Sequence, residues 1–206
     1  MFAAILYVIF GFNTVYDLEP TVEAPPLQFG ILLEGGLGIG STGTKAGSFF
    51  DIPIHASMHI KWWEEYSIGF GISGIFGSGT EWVSDDPNTP DIDETIEDSM
   101  ASFAYYIQNR FYLSASNSFF LFLNGNVGVY QYSGELFYDD NTFSTYKGRK
   151  LFAGLGVGFR TYVMMNVYLF LNGNYNYYFL YLNNSDFGNI DPSGSLDISV
   201  GMGVVF

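Results

Sequence analysis

From residue 28 onward, apolar and polar side chains alternate along the chain almost position by position. Phe29, Ile31, Leu33, Leu37 and Ile39 hold one parity, and Gln28, Gly30, Glu34, Gly36 and Gly38 hold the other. Neighbouring side chains on a strand point to opposite faces, so a period of two predicts a ribbon with one greasy and one polar side. The pattern returns with Ile52, Ile54, Ala56, Met58, Ile60 and Trp62 against Asp51, Pro53, His55, Ser57, His59 and Lys61. It returns with Tyr66, Ile68, Phe70, Ile72 and Phe76 over Ser67, Gly69, Gly71 and Ser73. Phe103, Tyr105, Ile107 and Phe111 then lie over Ser102, Gln108 and Arg110. Two later stretches nearly repeat each other, FLFLNGN at 120–126 and YLFLNGN at 168–174. Between them Leu151, Ala153, Leu155, Val157 and Phe159 alternate with Gly154, Gly156, Gly158 and Arg160. With Leu196, Ile198, Val200, Met202, Val204 and Phe206 at the end, about eight strands are predicted, and no segment carries a helical period.

The connections fall into two kinds that strictly interleave. Tight ones are expected around 63–65, 114–118 and 164–166, and longer ones over 42–48, 77–99, 133–148 and 183–194. That arrangement is an antiparallel up-and-down meander with all its short turns at one end, the layout of a membrane barrel. A soluble barrel of the lipocalin kind would hide the apolar parity inside and cover the other with charge. Here the polar parity is mostly Gly, Ser, Asn and Tyr, which suits a crowded lumen, while the apolar parity is nearly free of charge, as a lipid-facing band must be. The fold class expected is therefore all-β, a transmembrane barrel over 27–206.

Composition sharpens this. Of the 206 residues, 48% are hydrophobic and only 14% charged, against roughly 25% charged in ordinary soluble domains. The net charge of −14 leaves no basic stripe for nucleic acid. There is no cysteine, so disulfides and thiolate metal sites are excluded. The opening MFAAILYVIFGF is too short for a membrane helix, which needs about 20 residues. It reads as the apolar core of a secretory signal, or as a retained peripheral segment or extra strand, and the Pro-containing stretch 19–26 reads as an extended linker. Residues 1–26 are thus set apart from the barrel.

The last dozen residues, SLDISVGMGVVF, resemble the C-terminal strand of Gram-negative outer-membrane barrels, which ends on an aromatic. The whole architecture resembles the small OmpA/OmpX-like or opacity-type barrels. The resemblance implies a bacterial outer-membrane location, and the barrel assembly machinery as a partner reading the C-terminal strand. It also implies outer-membrane lipid around the belt, an envelope or extracellular protein as a further partner, and no cofactor. With Phe206 at the periplasmic interface and an even strand count, Trp62, Trp63, Tyr66, Phe111, Tyr162 and Phe206 are expected as interfacial aromatics. Tyr112, Phe119 and Tyr168 are expected at the same rim.

The candidate chemistry lies on the polar parity. A lumen network of Glu34, Asp51, His55, His59, Lys61, Arg110, Arg160 and Asp197 is expected, with the three cations near the periplasmic end, Glu34 at mid-height, and Asp51 and Asp197 toward the outer end. One reading is a small cation-attracting pore. The other is a set of buried charges paired to offset desolvation, favoured because an eight-stranded interior is just filled by side chains. His55-Ala56-Ser57 is similar to the His-x-Ser pair of the lipid A deacylases, with Glu64 or Glu65 as orienting acid. In that family the set faces lipid, whereas parity puts these residues inside. His55 and His59 make a weak metal pair, four positions apart on one face. The 84–98 segment, SDDPNTPDIDETIED, offers Asp85, Asp86, Asp91, Asp93, Glu94, Glu97 and Asp98 to a divalent cation, or as a solvated or partner-binding loop, without the glycine of a hand-type calcium loop. The loop with Phe137 and Tyr138 offers exposed aromatics as a recognition surface or a packed rim. The expected function is non-enzymatic: a structural, adhesin-like or complex-subunit barrel acting through its outer loops.

Overall fold

The computed structural model describes residues 30–43, 48–63, 65–83, 94–114, 119–137, 143–183 and 192–206. The apolar run at the start and the linker after it lie outside them. Eight strands follow one another: β1 (Gly30–Gly43), β2 (Ser48–Trp63), β3 (Tyr66–Val83), β4 (Glu94–Ser114), β5 (Phe119–Phe137), β6 (Phe143–Met164), β7 (Val167–Tyr181) and β8 (Gly194–Val205). Each pairs antiparallel with its neighbours in chain order, and β8 returns to β1 from Leu32↔Val205 through Gly43↔Gly194 to close the ring. Closure is what lipid demands, because an open strand edge would leave its backbone groups without water or partner.

Side-chain burial follows the parity. Leu37, Ile54, Ile72, Ile107, Leu123, Val157 and Val200 all stand exposed on the outer wall, while Glu34, Asp51, Ser73, Gln108, Asn124 and Ser199 are enclosed. An apolar belt of this extent facing water would be strongly unfavourable at about 25 cal/mol per Å². Its solvent is acyl chain, and the protein spans a bilayer.

Tight turns connect the strands at one end, the turn end, where both described termini also sit. Met165 and Asn166 alone separate β6 from β7. At the other end, the loop end, the strands run much further than the alternation suggests. The segments expected as loops over 77–99 and 133–148 are largely ladder, with Gly77↔Met100 continuing to Val83↔Glu94, and Ser133↔Lys147 continuing to Phe137↔Phe143. As a result β3, β4, β5 and β6 have 18, 21, 19 and 22 residues, against 14, 15 and 12 in β1, β7 and β8. A membrane-crossing strand needs about 9–11. Half of the ring therefore rises above the belt as a four-stranded wall.

Candidate functional site

The interior is built in three storeys. At the turn end Glu34 of β1 accepts four hydrogen bonds. Arg110 Nη1 donates to its Oε1 at 2.6 Å and Nη2 to its Oε2 at 2.9 Å. Tyr168 OH donates to Oε1 at 2.7 Å, and Ser57 Oγ to Oε2 at 3.2 Å. Arg110 Nη2 also donates to Gln108 Oε1 at 2.8 Å, and the guanidinium lies 4.4 Å from the centre of the Phe122 ring. Such bonding is what makes a buried ion pair tolerable, since each charge leaves water at several kcal/mol. Local sequence makes the room. A Cβ on Gly203 would run into the Tyr168 ring, so only glycine there lets the tyrosine swing over to the carboxylate. Beside this pair, Arg160 is enclosed by Tyr112, Phe120, Tyr168 and Tyr162 at 4.2, 5.0, 5.2 and 5.5 Å from its guanidinium carbon. Cation–π attraction strengthens when the cation is desolvated, as here.

The middle storey explains the repeated NGN. The two copies fall on β5 and β7, which flank β6, and between them β6 presents Gly154, Gly156 and Gly158. Lacking side chains there, β6 lets amides reach across it: Asn124 Nδ2 donates to Asn172 Oδ1 at 2.9 Å, and Asn126 Nδ2 to Asn174 Oδ1 at 3.5 Å. Asp197 accepts from Asn174 at 3.3 Å and from Asn176 at 3.5 Å, and Asp51 accepts from Thr42 Oγ1 at 2.5 Å. Asn126, Asn172, Asn174, Asn176, Asp51 and Asp197, with His55, Ser57 and Glu34, line a cavity of ≈ 60 Å³, room for a few waters.

The upper storey is aromatic. Phe49, Met100, Tyr130, Tyr132, Phe152 and Tyr178 form one buried cluster, with Tyr130 stacked on Tyr178 at 4.4 Å. Lys150 caps it, donating to the Pro192 carbonyl at 2.7 Å. The polar chamber thus lies between the aromatic cluster and the Glu34–Arg110 knot.

The expected lumen residues all point inward, but two placements differ from the sequence reading. Glu34 sits at the level of Arg110 rather than at mid-height, because strands tilt in a barrel and Glu34 falls opposite Ser57 and Gly203. The residue that meets Ser57 is His59, not His55: His59 Nε2 lies 3.2 Å from Ser57 Oγ and 3.8 Å from Glu34 Oε2. The hydroxyl and the carboxylate share one ring nitrogen, while Nδ1 has no partner among the described residues. A relay needs the acid on the opposite nitrogen from the nucleophile. Moreover His59 is fully enclosed, and Glu65 lies in the exposed β2–β3 turn. Glu64 lies outside the described residues, and among those described no three His, Cys, Asp or Glu side chains group as metal ligands.

At the turn end Trp62, Phe111 and Phe206 face outward, and Tyr66 packs on Phe111 at 5.0 Å. Trp63 pairs with Tyr66 in the ladder. Tyr162 departs from the expected girdle. It is 7% exposed and turned into the barrel, as are Tyr112 and Tyr168. Parity carries the reason: Tyr162 shares its face with Arg160, and Tyr112 shares its face with Arg110. Gln108 and the asparagines are enclosed as their parity predicts, and Lys150 is an interior cation that the expected network omitted although the same parity marks it. Asp85, Asp86, Asp91, Asp93 and Tyr138 lie outside the described residues, and Phe137 ends β5 opposite Phe143.

No protein-family model matches the chain, and neither does any curated protein. Solved structures do. The chain is similar to Neisserial surface protein A, at 12% identity over 85% of this chain and 97% of that one, with a TM-score of 0.58. It is similar to Ail, the attachment invasion locus protein of Yersinia pestis, at 9% identity over 87% of this chain and 100% of that one, with a TM-score of 0.56. The N-terminal β-barrel domain of OprF from Pseudomonas aeruginosa follows, at 10% identity over 86% and 97%, with a TM-score of 0.51. At such identities it is architecture that is shared: the chain has the fold of the small eight-stranded outer-membrane β-barrels.

Proposed function

We propose that this is a non-catalytic barrel of a bacterial outer membrane, with its turn end periplasmic, which serves as a structural or adhesin-like element through the tall half of its loop end. The observation that carries the reading is the contrast between interior and rim. Among the described residues the lumen is packed at two levels, by the Glu34–Arg110–Tyr168 knot with Arg160 below and by the Tyr130–Tyr178 stack above, which supports a barrel that does not conduct. The strands β3 to β6 meanwhile extend far past what membrane crossing requires. Length beyond the bilayer has a use only in what it presents outside. Ail, of like fold, was solved with a sulfated heparin analogue. Here the 84–98 segment is acidic, so the surface it would engage is basic rather than a polyanion.

The test is surface expression of the full chain and of a form with residues 80–97 replaced by a short turn, followed by binding to surfaces coated with basic or sulfated extracellular proteins. Binding by the full chain, lost in the shortened form while the barrel still folds, is the expected result. Equal binding by both forms counts against the reading.

A further inference from the structure

The chain holds seven Lys and Arg residues in all, and most are kept inside. Lys61, Arg110, Lys150 and Arg160 are buried in the interior, and Lys45 lies outside the described residues. The remaining two, Lys147 and Arg149, stand exposed on β6, two positions apart and hence on one face. Among the described residues they are the cations of the outer wall.

Their height follows from the belt. Below Arg149 the outward positions of β6 are Leu151, Ala153, Leu155, Val157 and Phe159, about nine residues of strand, the length a tilted strand needs to cross the hydrocarbon core. Phe159 stacks on Phe119 at 5.5 Å toward the turn end, as rings at an interface do. Arg149 is therefore the first outward residue above the acyl region, and Lys147 stands one pleat higher. Gln131 faces Arg149 across the ladder and accepts from its Nε at 3.1 Å, which leaves the two terminal nitrogens for another acceptor. Phe103 on β4 continues the row beyond Gln131, and Leu182 is tied to the Arg149 carbonyl by its N–H at 2.9 Å. No carboxylate among the described residues pairs with either cation.

We propose that Lys147 and Arg149 form a site on the outer wall for the phosphate-bearing headgroup of a membrane lipid, whose acyl chains lie against the belt beneath. Arginine offers phosphate a planar fork and lysine a point charge. A net charge of −14 repels anionic solutes in general, so an anion reaching this pair is best supplied already at that height, by the membrane itself. The belt also has a place for the chains. Gly125 sits beside Leu155 in the ladder, with Ala153 above. A Cβ at Gly125 would meet nothing closer than the Leu155 Cδ2 at 4.0 Å, and Leu155 stands 75% exposed. The missing side chain at Gly125 leaves space beside that leucine, below the cations.

The inference rests on the transmembrane reading and on the loop end facing the leaflet that carries such a lipid. The test uses the full chain in phosphatidylcholine nanodiscs doped with lipid A, a phosphorylated glycolipid, or with its dephosphorylated form, and native mass spectrometry counts the lipid retained. Wild type should retain the phosphorylated form preferentially, and K147Q/R149Q should lose that preference by on the order of thirtyfold. K147R/R149K should keep most of it. Equal retention of the two glycolipids by wild type, or an undiminished preference in K147Q/R149Q, overturns the site. Displacement by inorganic phosphate at the concentration of the glycolipid overturns the lipid as its occupant. Failure of the chain to enter the nanodisc would strike the transmembrane reading instead, and the assembly step reports that separately.

Discussion

Glu34 and Arg110 stand 76 positions apart in the chain and meet in a two-pronged ion pair at 2.6 and 2.9 Å, buried inside the barrel. Their pairing ties β1 to β4, which are not neighbours in the sheet. Removing one partner strands the other charge, so Arg110→Met should cost about 3–5 kcal/mol, while Glu34→Leu combined with Arg110→Met should recover most of that loss. Urea unfolding from lipid vesicles measures both. A double variant no better than the single one would show that the knot does more than neutralise itself.

The two closures make a prediction about conduction. In planar bilayers the native protein should give no stepwise current, and neither should Arg160→Ala alone, because the aromatic storey remains above it. Combining Arg160→Ala, Glu34→Ala and Arg110→Ala with Tyr130→Ala and Tyr178→Ala removes the groups that fill both levels and should open discrete steps. Steps in the native protein would mean that the closures yield readily.

Glycines on the two faces should respond oppositely to a methyl group. At Gly128 a Cβ would press into the Tyr105 carbonyl oxygen of the neighbouring strand, which is backbone and cannot move aside. Gly128→Ala should destabilise by about 1–3 kcal/mol. Gly125→Ala, on the outer wall with open space before it, should be neutral or stabilise by about 0.5 kcal/mol. Unfolding midpoints of the two variants settle the ordering.

The belt can be probed at its most exposed leucine. Leu155→Arg places a charge on the lipid face and should cost about 2–4 kcal/mol near the bilayer midplane. Asn174→Ser, facing the chamber, should cost far less. Folding yield into vesicles of defined thickness gives the comparison.

The strand count and the direction of every face were legible in the sequence, because in the belt lipid on one side and a packed lumen on the other enforce a strict period of two. That signal stops where the lipid stops. Thr80, Glu81, Glu97 and Asp98 break the alternation of apolar and polar residues and so read as loop, although their backbones continue the ladder through Thr80↔Glu97 and Glu81↔Ile96. Heights were harder than faces. Glu34 meets Arg110 through tilt and register, which leave no mark in a single strand's pattern, and His55 and His59 flank Ser57 at equal spacing on one strand face, so the pattern alone could not choose between them. Tyr162 is different. Its parity with Arg160 was in plain view, and reading it as a girdle residue let chemical habit override geometry. The repeated NGN was visible as text, but its meaning required knowing that a glycine strand lies between the copies.

The unequal strands give the molecule a front and a back in the plane of the membrane. On the side of β7, β8 and β1 the strands end low. On the side of β3 to β6 a parapet stands clear. Anything that grips the parapet meets the protein from one compass bearing, so two copies holding a single symmetrical partner must face each other across it.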